Sequence, residues 1–235
     1  MKGILYLFPA TLGDSPVDRS LPSHHLQILK ESKHFIVEDL RSARRFLKKA
    51  CPEIVIDDLF FSLLNEHTQE EDVKMLLEPA LAGNDMVLLS EAGLPCVADP
   101  GAALVALAHQ SGIRVAPLVG PSSIYLALMA SGMNGQNFAF AGYLPIDKRE
   151  RSLKIRQLEA DAYHKDQTQI FIETPYRNNQ LLEALVHDCR PETRICVAVN
   201  LTLEDEWIRS QSVVEWRKMS KVDLQKKPAV FLLYR

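Results

Sequence analysis

Short apolar runs rich in β-branched and aromatic residues alternate with longer stretches of helical period through the first half of the chain. Gly3–Phe8, Phe35–Val37, Met86–Leu89 and Arg114–Pro117 read as buried strands, with helices predicted over 22–32, 41–50, 67–82 and 101–110. Strands separated by helices make a parallel layer covered by helices. A further helix is predicted over Ser122–Ser131, preceded by Gly120-Pro121 and broken by Ser131-Gly132-Met133-Asn134-Gly135, near which a linker would fall. Beyond it strands come more often, at Phe138–Gly142, Gln169–Glu173, Arg194–Val199, Glu206–Val214 and Ala229–Tyr234, with helices at 149–161 and 178–187. That texture predicts antiparallel pairs in a mixed sheet. The expected fold class is α/β in two domains: 1–118, mostly parallel, and 119–235, a mixed α+β domain.

At 235 residues and 47% hydrophobic content, the chain has enough apolar material for one large or two small cores, and no tract is biased toward disorder. The longest apolar stretches, Met86–Leu89 and Leu118–Met133, are too short or too interrupted to span a bilayer. The opening run at Gly3–Phe8 is short and no small-residue cleavage site follows, so it reads as a first strand of a soluble, cytoplasmic protein. Cys51, Cys96, Cys189 and Cys196 are scattered, and the seven histidines show no ligand spacing, so neither a metal site nor a disulfide framework is expected. The net charge of -3 argues against a surface that grips nucleic acid all over and leaves room for a local basic patch.

Three loops follow predicted strands and carry the candidate chemistry. Leu88-Leu89 runs into Ser90-Glu91-Ala92-Gly93-Leu94-Pro95 and then Asp99-Pro100-Gly101, where a helix reopens. Pro117-Leu118-Val119-Gly120-Pro121-Ser122-Ser123-Ile124 and Pro9-Ala10-Thr11-Leu12-Gly13-Asp14 also follow strands. Such loops place backbone groups at the carboxyl edge of a sheet, where ligands bind, although an ordinary strand-to-helix turn has the same spacing. Gly93 and Gly120 suit close backbone approach. No dinucleotide fingerprint and no P-loop occurs. Arg41, Arg44, Arg45 and Lys48 fall on one helix face, and Lys148, Arg149, Arg151, Lys154 and Arg156 crowd the start of another; each set is either a phosphate contact or a solvated face.

Ser-Glu-Ala-Gly-Leu-Pro with Asp-Pro-Gly (90–95, 99–101), Gly-Pro-Ser-Ser (120–123), Ser-Gly-Met (131–133), Phe-Ala-Phe-Ala-Gly-Tyr-Leu-Pro (138–145) and Glu-Thr-Pro-Tyr-Arg (173–177) follow one another in order over nearly the whole chain. This series resembles the motifs of the tetrapyrrole-methylase superfamily, and in detail its branch of ribosomal small-subunit RNA ribose 2′-O-methyltransferases. Glu38-Asp39-Leu40-Arg41 is similar to the branch's Glu-Asp-Thr-Arg, whereas Val199-Asn200-Leu201-Thr202-Leu203 stands where the branch has Arg-Glu-Leu-Thr-Lys. The resemblance implies the two-domain tetrapyrrole-methylase fold, with S-adenosylmethionine held in a crevice between the domains. By position it implies cofactor contacts from Glu91, Leu94, Ser122, Ser123 and Ile124, with Pro9, Gly93 and Gly120 in the same loops, and from Ile172, Val199, Asn200, Pro228 and Ala229. Asp39, Glu38 and Glu173 are the motif carboxylates that a hydroxyl acceptor would use as a base, each equally able to serve as a cap or an ion-pair partner. Arg41, Arg44, Arg45, Lys48 and Arg177 are the candidate substrate contacts. The implied partner is RNA of the ribosomal subunit, met by a homodimer. A tetrapyrrole or other small-molecule acceptor, and a cofactor-binding protein without catalysis, are the rival expectations.

Overall fold

In the computed structural model, which describes residues 1–65, 68, 70–220 and 222–235, the chain forms two units, Met1–Ser122 and Ser123–Arg235. The first contains, in order, β1 (Ile4–Phe8), α1 (Ser23–Glu31), β2 (His34–Val37), α2 (Leu40–Ala50), β3 (Phe60–Leu63), α3 (Glu70–Met75), α4 (Glu78–Leu81), β4 (Met86–Leu89), α5 (Ala102–Gln110) and β5 (Arg114–Pro117). Its five strands lie in the order β3-β2-β4-β1-β5, and every pairing is parallel. Alternate residues feed opposite cores. Phe8, Phe35, Val37, Val87 and Leu89 pack with Ala43 and Leu47 of α2, whereas Leu5, Ile36, Met86 and Leu88 pack with Leu104 and Ala108 of α5. Both faces are therefore buried, which is why these strands read as continuous apolar runs.

Two features of this first unit depart from the sequence reading. Strand β3 was not expected: it is an edge strand whose Phe60 and Leu63 are exposed, so it lacks the flanking apolar pattern of a buried one. The helix expected over 67–82 is divided into α3 and α4, because Pro79 is accommodated only in the first turn of a helix. Positions 67 and 69 of that expectation lie outside the described residues.

The second unit contains α6 (Ser123–Ser131), β6 (Phe138–Tyr143), α7 (Lys148–His164), β7 (Thr168–Ile172), α8 (Asn178–Asp188), β8 (Arg194–Val199), β9 (Trp207–Ser212), α9 (Val213–Lys218) and β10 (Ala229–Tyr234). The sheet order is β6-β7-β10-β8-β9, with β6–β7 parallel and the other pairings antiparallel. Phe171 and Phe231 stack at its centre, 6.1 Å between centroids, and Ile155, Leu158, Leu181, Leu185 and Trp216 of α7, α8 and α9 cover that face. Helix α6 packs on β10, β9 and β8. The turn at 131–135, a place where a linker was expected, joins α6 to β6 inside this unit. The strand expected through Val214 ends at Ser212, where Ser212 and Glu215 form a reciprocal capping box that starts α9. No helix among the described residues is long and apolar enough to cross a membrane.

Helix α1 brings a histidine into the first core. His25 is 1% exposed, its Nδ1 has no hydrogen-bond partner among the described residues, and its ring meets Phe8 edge-on at 5.9 Å. Burial, with the neighbouring His24 as a smaller contribution, pulls its pKa below the ordinary value. Below about pH 6.5 the unfolded chain takes up a proton that the native state refuses, so stability is lost as pH falls through that value. Urea unfolding midpoints should drop between about pH 7.5 and about pH 5.5 more steeply in the wild type than in His25→Phe. Equal slopes would remove His25 from the acid response.

Candidate functional site

Strand register sets the first constellation. Phe8 and Val37 both pair with Leu89, and Leu7 pairs with Pro117, so β1, β2, β4 and β5 end together. The segments 9–14, 38–39, 90–101 and 118–122 leave from that shared carboxyl edge. They are laced to each other. Ala10 N–H donates to Gly93 O at 2.9 Å and Gly93 N–H to Ala10 O at 3.2 Å, while Gly93 itself sits at φ +74°. Gly120 lies against Pro9, and Lys49 of α2 pairs with Asp14. Pro9, Glu91, Gly93, Leu94, Gly120 and Ser122 are thus gathered at one edge, whereas Ser123 and Ile124 open α6 and belong to the second unit.

Asp39 caps α2. Its Oδ1 accepts Ser42 N–H at 2.8 Å, and these bonds to Ser42 hold its carboxyl below the usual carboxylate range. The Ser42 hydroxyl lies 3.0 Å from Asp39 Oδ1 and 2.7 Å from Glu91 Oε1; with a single proton it donates to one of them at a time. Two motif carboxylates from different loops are thereby linked through a serine that motif reading did not single out. Its only sequence signal is its position three residues after the cap. Glu38 precedes this cap and is partly buried.

A second constellation forms at one edge of the other sheet. Ala229 pairs with Val199 and Val230 with Ile172, so the carboxyl ends of β7 and β8 lie beside the start of β10. Ile172, Val199, Asn200, Pro228 and Ala229 meet there, and Asn200 N–H donates to Pro228 O at 3.0 Å. Glu173 is buried: its Oε1 accepts both Thr174 N–H and Arg177 Nη2 at 2.6 Å, while Oε2 has no partner among the described residues. Arg177, expected to meet substrate, is engaged in this internal pair. Next to it, Asn178 is fully buried; its Nδ2 donates to Lys227 O at 2.7 Å and its Oδ1 is unpartnered among the described residues. Asn200, Thr202 and Lys226 all adopt left-handed φ, of 50°, 71° and 61°, the β-branched Thr202 being the costliest. Sequence reasoning missed Asn178, which looks like an ordinary first residue of a helix.

The cations of α2 divide by role. Arg41, Arg44, Arg45 and Lys48 are all exposed. Lys48 Nζ donates to Pro52 O at 3.2 Å and Ile54 O at 2.5 Å, and the Arg44 guanidinium lies 5.5 Å from the Phe61 ring centroid. Lys48 thus ties down the carboxyl end of its helix, whereas Arg41 and Arg45 extend from the exposed face, one turn apart. Among the described residues no three of His, Cys, Asp and Glu are grouped to hold a metal ion.

A family model described as tetrapyrrole (corrin/porphyrin) methylases matches residues 20–215. The chain is 29% identical over 233 residues to the ribosomal RNA small subunit methyltransferase I of Vibrio cholerae serotype O1, covering 98% of this chain and 76% of that one. To the protein of the same name from Bacillus subtilis it is 30% identical over 223 residues, 94% of this chain and 72% of the relative. The crystal structure of the methyltransferase CobJ superposes with a TM-score of 0.65 at 18% identity, covering all of this chain and 95% of that one, a likeness of fold.

Gly120 is also required for the packing of its own loop against Pro9. A Cβ built there would lie 2.3 Å from both Cβ and Cγ of Pro9. Gly120→Ala must push two loops apart, and overpacking of this kind costs about 1–3 kcal/mol. Urea denaturation should show that loss before any effect on ligand binding is interpreted. Wild-type stability in Gly120→Ala would mean that the Pro9 loop moves freely.

Proposed function

Since the chain belongs to the tetrapyrrole (corrin/porphyrin) methylase family and is a methyltransferase, we propose that its methyl donor is S-adenosylmethionine and its acceptor a ribose 2′-hydroxyl of ribosomal small-subunit RNA. The observation that carries the acceptor is the match to relatives named for that RNA along 98% and 94% of this chain, although the chain spans only about three quarters of their length. Ribosomal RNA in turn implies action in the cytoplasm. Tyr125 and Met129, exposed one turn apart on α6, fit an apolar contact in a homodimer.

The residues present suit such a donor. The edge of the first sheet offers backbone groups around Gly93 and Gly120 and the exposed carboxylate of Glu91, a partner for an ammonium. Taken by itself, the edge of the second sheet has the buried acceptors Glu173 Oε2 and Asn178 Oδ1, without a partner among the described residues, beside apolar Ile172, Val199 and Ala229, groups that suit amino and hydroxyl donors such as those of an adenosine. When bound, S-adenosylmethionine supplies a sulfonium methyl open to in-line displacement. The protein's part is alignment, an effect worth about 7–11 kcal/mol in favourable cases, together with a place for the proton of the attacking hydroxyl. In this reading the Glu38-Asp39 turn receives that proton, Ser42 holds Asp39 and Glu91 in place, and the Glu173–Arg177 pair fixes its loop. Arg41 and Arg45, adjoining the same turn, meet RNA phosphates.

Calorimetry in the presence of chelator should show S-adenosylmethionine binding with thermal stabilisation, and radiolabelled methyl groups should pass to the ribose of undermethylated small ribosomal subunits. Label entering a tetrapyrrole instead would replace the acceptor, and cofactor binding without any turnover would mark a protein that has lost catalysis. Separately, Arg41→Glu/Arg45→Glu should weaken RNA association and lower its dependence on salt while leaving cofactor binding intact. Unchanged RNA affinity in the folded variant would make this helix face a merely solvated one.

A further inference from the structure

The second basic cluster proves different in kind from the first. Four of its five members, Lys148, Arg149, Arg151 and Arg156, border a groove of 1080 Å³ between α7 and α8 of the second unit, on the α7 side. Lys148, Arg149 and Arg156 are exposed, but Arg151 is only 8% exposed. A single hydrogen bond serves its guanidinium, Nη1 to Ile146 O at 3.0 Å, and its Nε is buried without a partner among the described residues. Among the described residues no carboxylate is paired with it. Asp147 is occupied by the N–H groups of Arg149 and Glu150 as the cap of α7, Asp188 faces His187, and Glu159 accepts from Thr193 and Arg190. Glu183, on the α8 side, has an interaction of its own.

A guanidinium stays charged at any physiological pH, and a buried charge without a counter-ion is costly. An arginine in this state has guanidinium donors that the described residues leave free for an anion. Lys148 to Arg156 extends about 12 Å along the helix, more than one monovalent anion requires. Two aliphatic side chains border the same groove, Ile146 at 69% and Leu153 at 61% exposed, and offer surface for the face of a sugar or base. Fork-shaped donors beside apolar surface suit a nucleotide chain.

We propose that the α7–α8 groove binds the sugar-phosphate backbone of a single-stranded RNA segment, with a phosphodiester at Arg151. This rests on the reading of RNA as the substrate, and places a contact surface on the second unit in addition to the α2 face of the first. Arg149 and Arg156 add charge along the path, and Ile146 and Leu153 make the groove a better fit for nucleotides than for free phosphate.

The test uses the whole chain, a short mixed-sequence RNA oligonucleotide, inorganic phosphate and polyglutamate as probes, and cofactor calorimetry as a control for folding. Arg149→Glu/Arg156→Glu changes exposed positions and keeps the fold; Arg151→Gln removes the buried cation, with its melting temperature measured alongside. Each should weaken RNA binding on the order of tenfold near physiological salt, and the slope of log affinity against log salt should fall by about 0.7 for each phosphate no longer neutralised. Heat from S-adenosylmethionine should be unchanged. Wild-type RNA affinity and slope in folded groove variants, while Arg41→Glu/Arg45→Glu does lose RNA, would overturn the groove and leave the RNA reading standing. Polyglutamate competing for the groove while RNA does not would assign it to an acidic peptide, and phosphate stabilisation that depends on Arg151 without any RNA loss would reduce it to a free-anion pocket; either result overturns the proposal. A wild-type protein that binds no RNA at all defeats the substrate reading first.

Discussion

Phe8, Val37 and Leu89 are neighbours at the ends of three parallel strands, and the gathering of loops at that edge of the first unit depends on their being level. A parallel ladder is fixed by its hydrogen bonds and by alternation of side chains between two cores, so a slip of one residue would exchange Ile36 and Leu88 with Val37 and Leu89 between α5 and α2. Because both faces are apolar and closely packed, that slip is expensive. The level ends bring Pro9, Glu38-Asp39, Glu91 and Gly120, far apart in sequence, to one edge. The reciprocal Ala10–Gly93 bonds then hold the loops together, and the Pro9 ring against Gly120 packs them.

The edge of the second sheet shows the complementary constraint of unmet polarity. Buried acceptors normally find donors. Glu173 and Asn178 each spend one atom on the fold, through Arg177, Thr174 and Lys227, and each keeps another without a partner among the described residues. Left-handed backbone at Asn200, Thr202 and Lys226 collects in the turns of the same edge. Left-handed backbone and unpaired polarity thus coincide at this edge, and such backbone persists only where the surrounding structure holds it in place. The departure of 199–203 from the branch motif falls in this turn, where Asn200 Nδ2 instead donates to Asp205 at 2.7 Å.

The charges of the two helices show why composition is a poor guide to partners. A run of cations on α2 divides into one lysine bonded to carbonyls, one arginine over an aromatic ring, and two exposed guanidiniums. A similar run on α7 contains one arginine that the fold has largely buried without a counter-ion among the described residues. Spacing along a helix tells which residues share a face; it does not tell which of them have had their charge answered.

Sequence alone determined the strands that are buried on both faces, because continuous apolar runs such as Met86–Leu89 and Arg194–Val199 have few other places to go, and it determined the helices whose apolar residues recur at helical spacing. It also carried the order of the loop motifs, whose glycines and prolines act locally. Edge strand β3 and the start of α9 were not read from it. The first depends on a neighbouring strand, and the second on a Ser212–Glu215 box set inside an apparent strand, where local and extended preferences compete. Only the tertiary structure decided that Ser42 joins Asp39 to Glu91, that Arg177 turns inward to Glu173, and that Asn178 and Arg151 are buried with polarity to spare. Hydrogen bonding and desolvation depend on what lies within a few ångströms in space, and those neighbours come from segments that the linear pattern keeps apart.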